Sequence, residues 1–168
     1  MLATPAIRPG PALASLELPH TFPVGTSKVS YSQHHHDYPA ADIFCAPGSR
    51  FLAPIDGVVD FVSLRDEWDV RNDRPELRGG LAVAIIGDDG WRYYGSHLQS
   101  IDENIHVGVR VKEKQLLGLT GSSGNARHVS PHLHFGISRP TRSDDWRVRR
   151  GEIPPYKYLK IWEAQVSH

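Results

Sequence analysis

The sequence has little of what several classes of protein require. Cys45 is its only cysteine, so the chain forms no internal disulfide and offers no cysteine-rich zinc site. No run approaches the about 18 apolar residues of a membrane span. Lys and Arg number 19, as do Asp and Glu, and this neutral balance argues against a dedicated nucleic-acid binder. A serine nucleophile is disfavoured because no Gly-x-Ser-x-Gly motif occurs.

The two ends of the chain differ in character. Residues 1–20 are rich in Pro and Ala, and we expect them to form an extended N-terminal arm. They lack the basic start and the apolar run of a signal peptide. Residues 21–168 fit one domain, in which aromatic side chains dock a C-terminal segment onto the sheet. Within that segment, the basic run 147–150 is expected to be a solvated face, with contact to an anionic polymer as the alternative.

Short segments rich in β-branched and aromatic residues predict a mostly β fold. Asp88-Asp89-Gly90 is a typical hairpin turn, and the polar run 65–79 is predicted to be a loop at the rim of a cleft. Strands of this length and spacing indicate an antiparallel β sandwich or a barrel-like domain. The predicted strands are Asp42–Cys45, Gly57–Ser63, Gly80–Gly87, Trp91–Leu98, Gly108–Val111, Leu116–Thr120 and His132–Ser138.

The segment Pro131-His132-Leu133-His134-Phe135 is the most informative part of the chain. Side chains alternate along a strand, so His132 and His134 share one face while Leu133 and Phe135 point into a core. Two imidazoles at this spacing can bind a metal, or divide the work between a metal ligand and a proton carrier. A histidine pair also occurs on strands without a site, so the pair needs companions.

The companions are present elsewhere in the chain. The run 34–36 is three histidines, Asp42 follows shortly after, and His97 stands in a predicted strand. A catalytic zinc takes three protein ligands and leaves a fourth position for water. Two histidines and one carboxylate would supply that set.

These motifs together resemble the lysostaphin/LytM-type zinc endopeptidases, which cut the peptide part of bacterial peptidoglycan. The resemblance runs from about His20 to Ser138, and the ordered combination is specific although each motif alone is not. It implies the LytM (duplicated hybrid motif) fold in a single domain, with short loops that form a groove. The motifs are His36 with Asp42, then Gly95-Ser96-His97-Leu98, then the Gly-rich segment 118–127, then Pro131 to Phe135.

The resemblance also implies the site. Its metal ligands correspond to His36, Asp42 and His134 with Zn²⁺ as the cofactor, and its catalytic, non-ligand histidines correspond to His97 and His132. Zinc lowers the pKa of bound water toward about 7, and the two free histidines would act as base and acid.

Two departures from the family pattern leave alternatives open. Five residues separate His36 from Asp42 where many relatives have three, so His34 and His35 are rival ligands. If the segment is extended, an even separation favours His36 over His35. Relatives often carry a tyrosine two positions before the catalytic histidine; this chain has Gly95 there, with Tyr94 as an alternative.

The implied function is a zinc-dependent endopeptidase that hydrolyses peptide crosslinks or bridges of bacterial peptidoglycan, with peptide stems or crosslinks as its partners. A catalytically silent regulator on the same fold and a metal-storage domain are the alternatives. The implied protein is a monomer with no nucleic-acid partner and no membrane span. It is extracytoplasmic, and with no signal peptide visible its export requires a removed signal or another route. The bond that is cut does not follow from the sequence, because loops decide it.

Overall fold

Antiparallel β structure makes up most of the fold. The computed structural model describes residues 10–165. Within that range the strands are β1 (Ala41–Phe44), β2 (Arg50–Leu52), β3 (Gly57–Ser63), β4 (Leu81–Gly87), β5 (Arg92–Ile101), β6 (Arg110–Val111), β7 (Leu116–Thr120) and β8 (His132–Ser138). Two α-helices follow, α1 (Trp146–Arg149) and α2 (Tyr156–Gln165), and short 3-10 helices span Leu13–Glu17, Pro75–Leu77 and Gly124–Ala126.

The strands join into one antiparallel sheet. Its main path runs β1-β8-β5-β4-β3-β6, while β7 pairs with β5 and β2 pairs with β7. The predicted mostly β, antiparallel fold is confirmed. Sequence reasoning missed β2, because three residues are too few to show a period of two, and it gave no helix for α2. Between residues 10 and 165 no helix has both the length and the apolar character to cross a bilayer.

Strand register places polar groups of three strands in one row. Asp42 of β1 lies opposite His134 of β8, and Ser96 of β5 lies opposite His134 on its other side. Residues that face each other across antiparallel strands have their side chains on the same face of the sheet. The row therefore brings residues that are far apart in sequence to one place.

The opposite face of β8 enters the hydrophobic core. Leu133 and Phe135 are fully buried, as the alternation predicted, and Phe135 lies near Tyr93 and Trp162. Burying each such side chain contributes about 1.5–3 kcal/mol relative to exposure. The strand that carries two groove histidines is thus anchored by its other face.

Both ends of the described chain pack against this core through Trp162 of α2. Its indole Nε1 donates a hydrogen bond to the Leu16 carbonyl at 2.9 Å, and the His20 ring stacks on it at 4.6 Å between centroids. Leu16 is fully buried, within the 3-10 helix Leu13–Glu17. The part of the predicted arm that precedes residue 10 lies outside the described residues.

We expect the Trp162→Ala variant to lose about 3–5 kcal/mol of unfolding free energy, because it removes a buried aromatic side chain and leaves the Leu16 carbonyl without its donor. Urea denaturation followed by circular dichroism measures the change. Leu64→Ala is the control, since Leu64 is 69% exposed and should shift stability by less than about 0.5 kcal/mol. A loss below about 1 kcal/mol for Trp162→Ala would show that the two ends are not coupled to the core.

Candidate active site

A groove of about 280 Å³ lies over the polar face of β8. The structure brings all of the predicted site residues to this groove, from three strands and the segment before β1. They are His36, Asp42, His97, His132 and His134.

Asp42 and His134 form the centre of this arrangement. The His134 Nδ1 lies 3.0 Å from Asp42 Oδ1, and the ring is buried with 4% exposure. Burial by itself raises the pKa of the Asp42 carboxyl, but hydrogen bonds with His134 and His35 outweigh it and hold the pKa well below the usual range. The carboxyl group is therefore ionised near neutral pH.

The other nitrogen of His134 fixes the position of its proton. Nε2 lies 2.8 Å from the Arg150 carbonyl oxygen, which can only accept, so Nε2 carries a proton and donates. In the neutral imidazole Nδ1 then presents a lone pair to the Asp42 carboxylate. Two acceptors that face each other at this distance need a cation between them, either a second proton or a metal ion.

The residues present thus fit a metal ion. A buried imidazole whose far nitrogen is held by a carbonyl is the usual arrangement for a metal-binding histidine. One nitrogen with one carboxylate oxygen, completed by a further imidazole, is a donor set that zinc accepts.

Two histidines compete for that third place. One ligand atom from each of His35, His36 and Asp42 can be chosen so that all lie within 4.8 Å of one another. His35 Nε2 lies 3.4 Å from Asp42 Oδ2, with its side chain 7% exposed, whereas His36 is exposed. The even separation from Asp42 favours His36 only if the segment is extended. Residues 36–39 instead form bends, and β1 begins only at Ala41. Both histidines consequently reach the carboxylate.

His97 occupies a strained position on the opposite wall. Its φ is 62°, in the left-handed region that non-glycine residues rarely adopt, and such strain is typical of functional sites. Its backbone N–H donates to the Gly79 carbonyl and its Nδ1 donates to the Ser123 carbonyl, both at 2.8 Å. Burial lowers the pKa of His97 to about 3, with the neighbouring histidines adding to the effect. His97 is therefore neutral at physiological pH, with the lone pair on Nε2.

His132 has the same tautomer for the same reason. Its Nδ1 donates to the Ser130 carbonyl at 2.9 Å, and its Nε2 lies 3.8 Å from Asp42 Oδ1. The rings of His132 and His97 are 4.9 Å apart between centroids. Two imidazoles with fixed donors thus stand side by side next to the carboxylate.

Two close-packed glycines hold the loops beside His97. Gly80 and Gly124 both have positive φ, and a Cβ on either one would meet backbone atoms of the other loop within 2.5 Å. The Gly124 N–H donates to Asp66 Oδ2 at 3.1 Å, and the Asn125 N–H donates to the Arg78 carbonyl. The loop over residues 65–79, predicted for the rim, therefore contributes to this wall.

Tyr94 lines the groove, whereas Gly95 does not. A Cβ at Gly95 would meet Phe51 and Leu133 of the core, so a tyrosine there would not face the groove. Tyr94 is buried, its ring is 6.0 Å from that of His134, and burial raises its pKa. Tyr94 therefore lines the groove in place of a tyrosine at position 95, together with Tyr38, whose ring is 5.7 Å from that of His134.

Sequence reasoning missed the contribution of the C-terminal segment. Trp146, Arg149 and Arg150 line the groove. The solvated face predicted for 147–150 is wrong for Arg149, which is only 6% exposed. No spacing signal could have revealed this, because the contact depends on how α1 folds back over β8.

A sequence model of Peptidase family M23 matches residues 36–146, well over half of the chain. The chain belongs to peptidase family M23. The predicted likeness to LytM-type peptidases is thereby confirmed.

Individual M23 relatives agree with this membership. The L-Ala--D-Glu endopeptidase of Bacillus subtilis is 30% identical over 90 residues, which cover 51% of this chain and 26% of that protein. The glycyl-glycine endopeptidase ALE-1 of Staphylococcus capitis is 40% identical over 58 residues, which cover 34% of this chain and 15% of that protein. The matched part of this chain therefore spans about a quarter of the length of the first relative and less of the second.

A solved structure supports the M23 fold. The catalytic domain of the antimicrobial peptidase lysostaphin from Staphylococcus simulans superimposes with a TM-score of 0.57. The match covers 89% of this chain and 98% of that one at 22% identity. At this identity the likeness concerns the fold alone.

We expect the purified protein to bind about one zinc ion per chain, and the Asp42→Ala and His134→Ala variants to lose it, because each removes a ligand atom from the facing pair. Elemental analysis after dialysis measures the metal. For the predicted ligand set, His36→Ala also empties the site and His35→Ala retains the metal. The reverse result would assign the third ligand to His35. If Asp42→Ala and His134→Ala both retain one zinc ion per chain, Asp42 and His134 are not the metal ligands.

We expect the ring of His97 not to titrate from about pH 8 down to about pH 5, because burial lowers its pKa from 6.5 to about 3. Because the unfolded chain binds a proton at this ring more readily than the folded chain, the free energy of unfolding falls as the pH drops from 6.5 toward 3. NMR of the ring proton, assigned by its absence in His97→Ala, provides the measurement. A midpoint near the ordinary histidine value would show that the ring is not buried in solution.

Proposed function

We propose that the protein is a zinc-dependent endopeptidase that hydrolyses peptide stems or crosslinks of bacterial peptidoglycan. One observation supports it above the others. Each of the three groove histidines on β5 and β8 donates one N–H to a backbone carbonyl, which turns its remaining nitrogen toward the site. The nitrogens of His132 and His134 that remain both lie within 4 Å of Asp42 Oδ1.

In this proposal His36, Asp42 and His134 hold the metal, with His35 as the rival described above. Zinc, when bound, acidifies water and polarises the carbonyl of the bond to be cut. The Arg150 carbonyl keeps the proton of His134 on Nε2 and so leaves Nδ1 available as a ligand atom.

His97 and His132 carry protons in the proposed reaction. Each keeps its Nδ1 proton on a backbone carbonyl and has Nε2 free to accept a proton and return it to the leaving amine. Because His97 is buried and neutral, it begins the reaction with that lone pair unoccupied. The same carbonyl bond supports the protonated ring once it forms.

The proposed substrate determines the proposed location of the protein. Peptidoglycan lies outside the cytoplasmic membrane, so we propose an extracytoplasmic, monomeric enzyme that acts on stem peptides or crosslinks. The names of the M23 relatives mention two different bonds, L-Ala–D-Glu and glycyl-glycine, and both are peptide bonds that a groove of this kind could accommodate.

We expect the zinc-loaded protein to clear a gel containing purified cell walls, a chelator to abolish the clearing, and added zinc to restore it. His97→Ala and His132→Ala should each retain zinc and lose turnover by about 10²–10⁴-fold, because each removes a general acid or base. Mass spectrometry of the released peptides identifies the bond that is cut.

His106→Ala serves as the matched control, since His106 is an exposed histidine that does not line the groove. Zinc binding without any clearing, in the presence of a fully folded chain, would favour the silent regulator. Normal turnover in His97→Ala would remove that residue from the reaction. Loss of zinc in His132→Ala would exchange its role with that of His134.

A further inference from the structure

Two arginines in the groove are not used by the proposed hydrolysis. Arg149 ends helix α1 and Arg150 follows it, and both line the groove that holds His134. The Arg150 carbonyl receives the His134 Nε2 proton at 2.8 Å, so the backbone of this segment touches the centre directly. The side chains of both arginines line the same groove.

Arg149 is a buried cation without a carboxylate partner among residues 10–165. Its side chain lies over the Phe61 ring, 3.6 Å from guanidinium carbon to centroid, and Nη1 donates to the Ser143 carbonyl. The nearby Asp60 is already paired with Arg92. An unpaired buried charge is costly, so a partner anion would stabilise this one.

Arg150 is unpaired as well. It lies over the Tyr38 ring at 3.8 Å, and its Nε is buried without a hydrogen-bond acceptor within the described chain. A stacked guanidinium has its remaining edge free for a planar acceptor, which is the geometry a carboxylate offers.

The other charges of the groove do not neutralise this pair. Arg78 is held by Asp73, and Glu76 is held by Arg74. Asp42 is engaged by the histidines, and Asp37 is exposed. Among residues 10–165, the wall formed by residues 149 and 150 is thus a cationic part of the groove that no carboxylate neutralises.

We propose that Arg149 and Arg150 form a carboxylate-binding subsite, so that the groove selects peptides that carry a free carboxylate over neutral glycine bridges. The inference rests on the proposed peptidase function and narrows its substrate class. Acidic stem peptides offer two sources of this group, the free carboxylate of a glutamyl residue and the C-terminal carboxylate. The groove recognises the chemistry that they share.

The test uses a matched set of synthetic stem peptides with L-Ala–D-Glu bonds. In one pair the free glutamyl carboxylate is present or amidated, and in the other the C-terminal carboxylate is present or amidated; a fully amidated peptide and a glycine pentapeptide amide serve as neutral references. For the zinc-loaded protein we expect one acidic peptide to bind about tenfold or more tightly than its amide, since a charged hydrogen bond of this kind is lost. Isothermal calorimetry gives the affinity, and steady-state rates separate KM from kcat.

The variants are Arg149→Met and Arg150→Met, which keep most of the side-chain volume and remove the charge. Each should weaken binding of the acidic peptide and leave binding of its amide unchanged, so that the ratio of the two affinities approaches one. Arg150→Lys should recover part of the preference for the acidic peptide, since lysine restores the positive charge without the paired N–H donors of the guanidinium group. If Arg149→Met fails to fold, Arg150→Met and the peptide pairs on the unmodified chain still decide the matter.

Equal affinity for acids and amides in the unmodified protein would overturn the subsite. An equal loss for both peptides in the variants would also overturn it, because it indicates that the arginines merely support α1. Calorimetry on the zinc-loaded His132→Ala variant, which should not turn the peptides over, measures this preference without hydrolysis, so it fails separately from the proposed function. If the protein hydrolyses the peptides but binds the acids and amides equally, only the subsite is refuted. If it binds the acids more tightly but hydrolyses neither, only the peptidase function is refuted.

Discussion

The contact between His134 Nδ1 and the Asp42 carboxylate is the constraint on which the site depends. It joins β1 to β8 on the groove face at 3.0 Å, in addition to the backbone pairing of the same two residues. The Arg150 carbonyl on the far side of the ring makes the arrangement directional, because it determines which nitrogen faces the acid. His97 and His132 are oriented beside this contact in the same way, since a backbone carbonyl accepts the proton of the far nitrogen in each ring.

Much of this arrangement could be predicted from the sequence because it follows from strand periodicity and motif order. The alternation at 132–135 predicted which side chains share a face, and the structure places two in the groove and two in the core. The bounds of β3, β7 and β8 agree with the sequence prediction, since their ends are marked by glycine, proline or polar residues. The ends of these strands are thus predictable because nearby residues determine them.

The rest depends on contacts that periodicity does not encode. The choice between His35 and His36 turned on whether residues 34–42 were extended, and the bends before Ala41 were not visible in the residue pattern. The burial of Arg149 follows from a helix of four residues that folds back over β8. The close packing of α1 on β8 requires Gly136, where a Cβ would lie 2.4 Å from the Arg150 carbonyl oxygen. The signal in the sequence was a single glycine next to a histidine motif, and it is informative only once the partner segment is known.

The left-handed backbone of His97 has a consequence for how the wall of the groove is made. A regular strand turns only every second side chain toward one face, yet Ser96 and His97 both line the groove although they are consecutive. The turn at φ 62° provides this, and the hydrogen bond from the His97 N–H to the Gly79 carbonyl holds it in place. The position of this imidazole therefore depends on the backbone conformation as much as on the side chain. In an undistorted strand, the His97 ring would point toward the core, and only Ser96 of the two would face the groove.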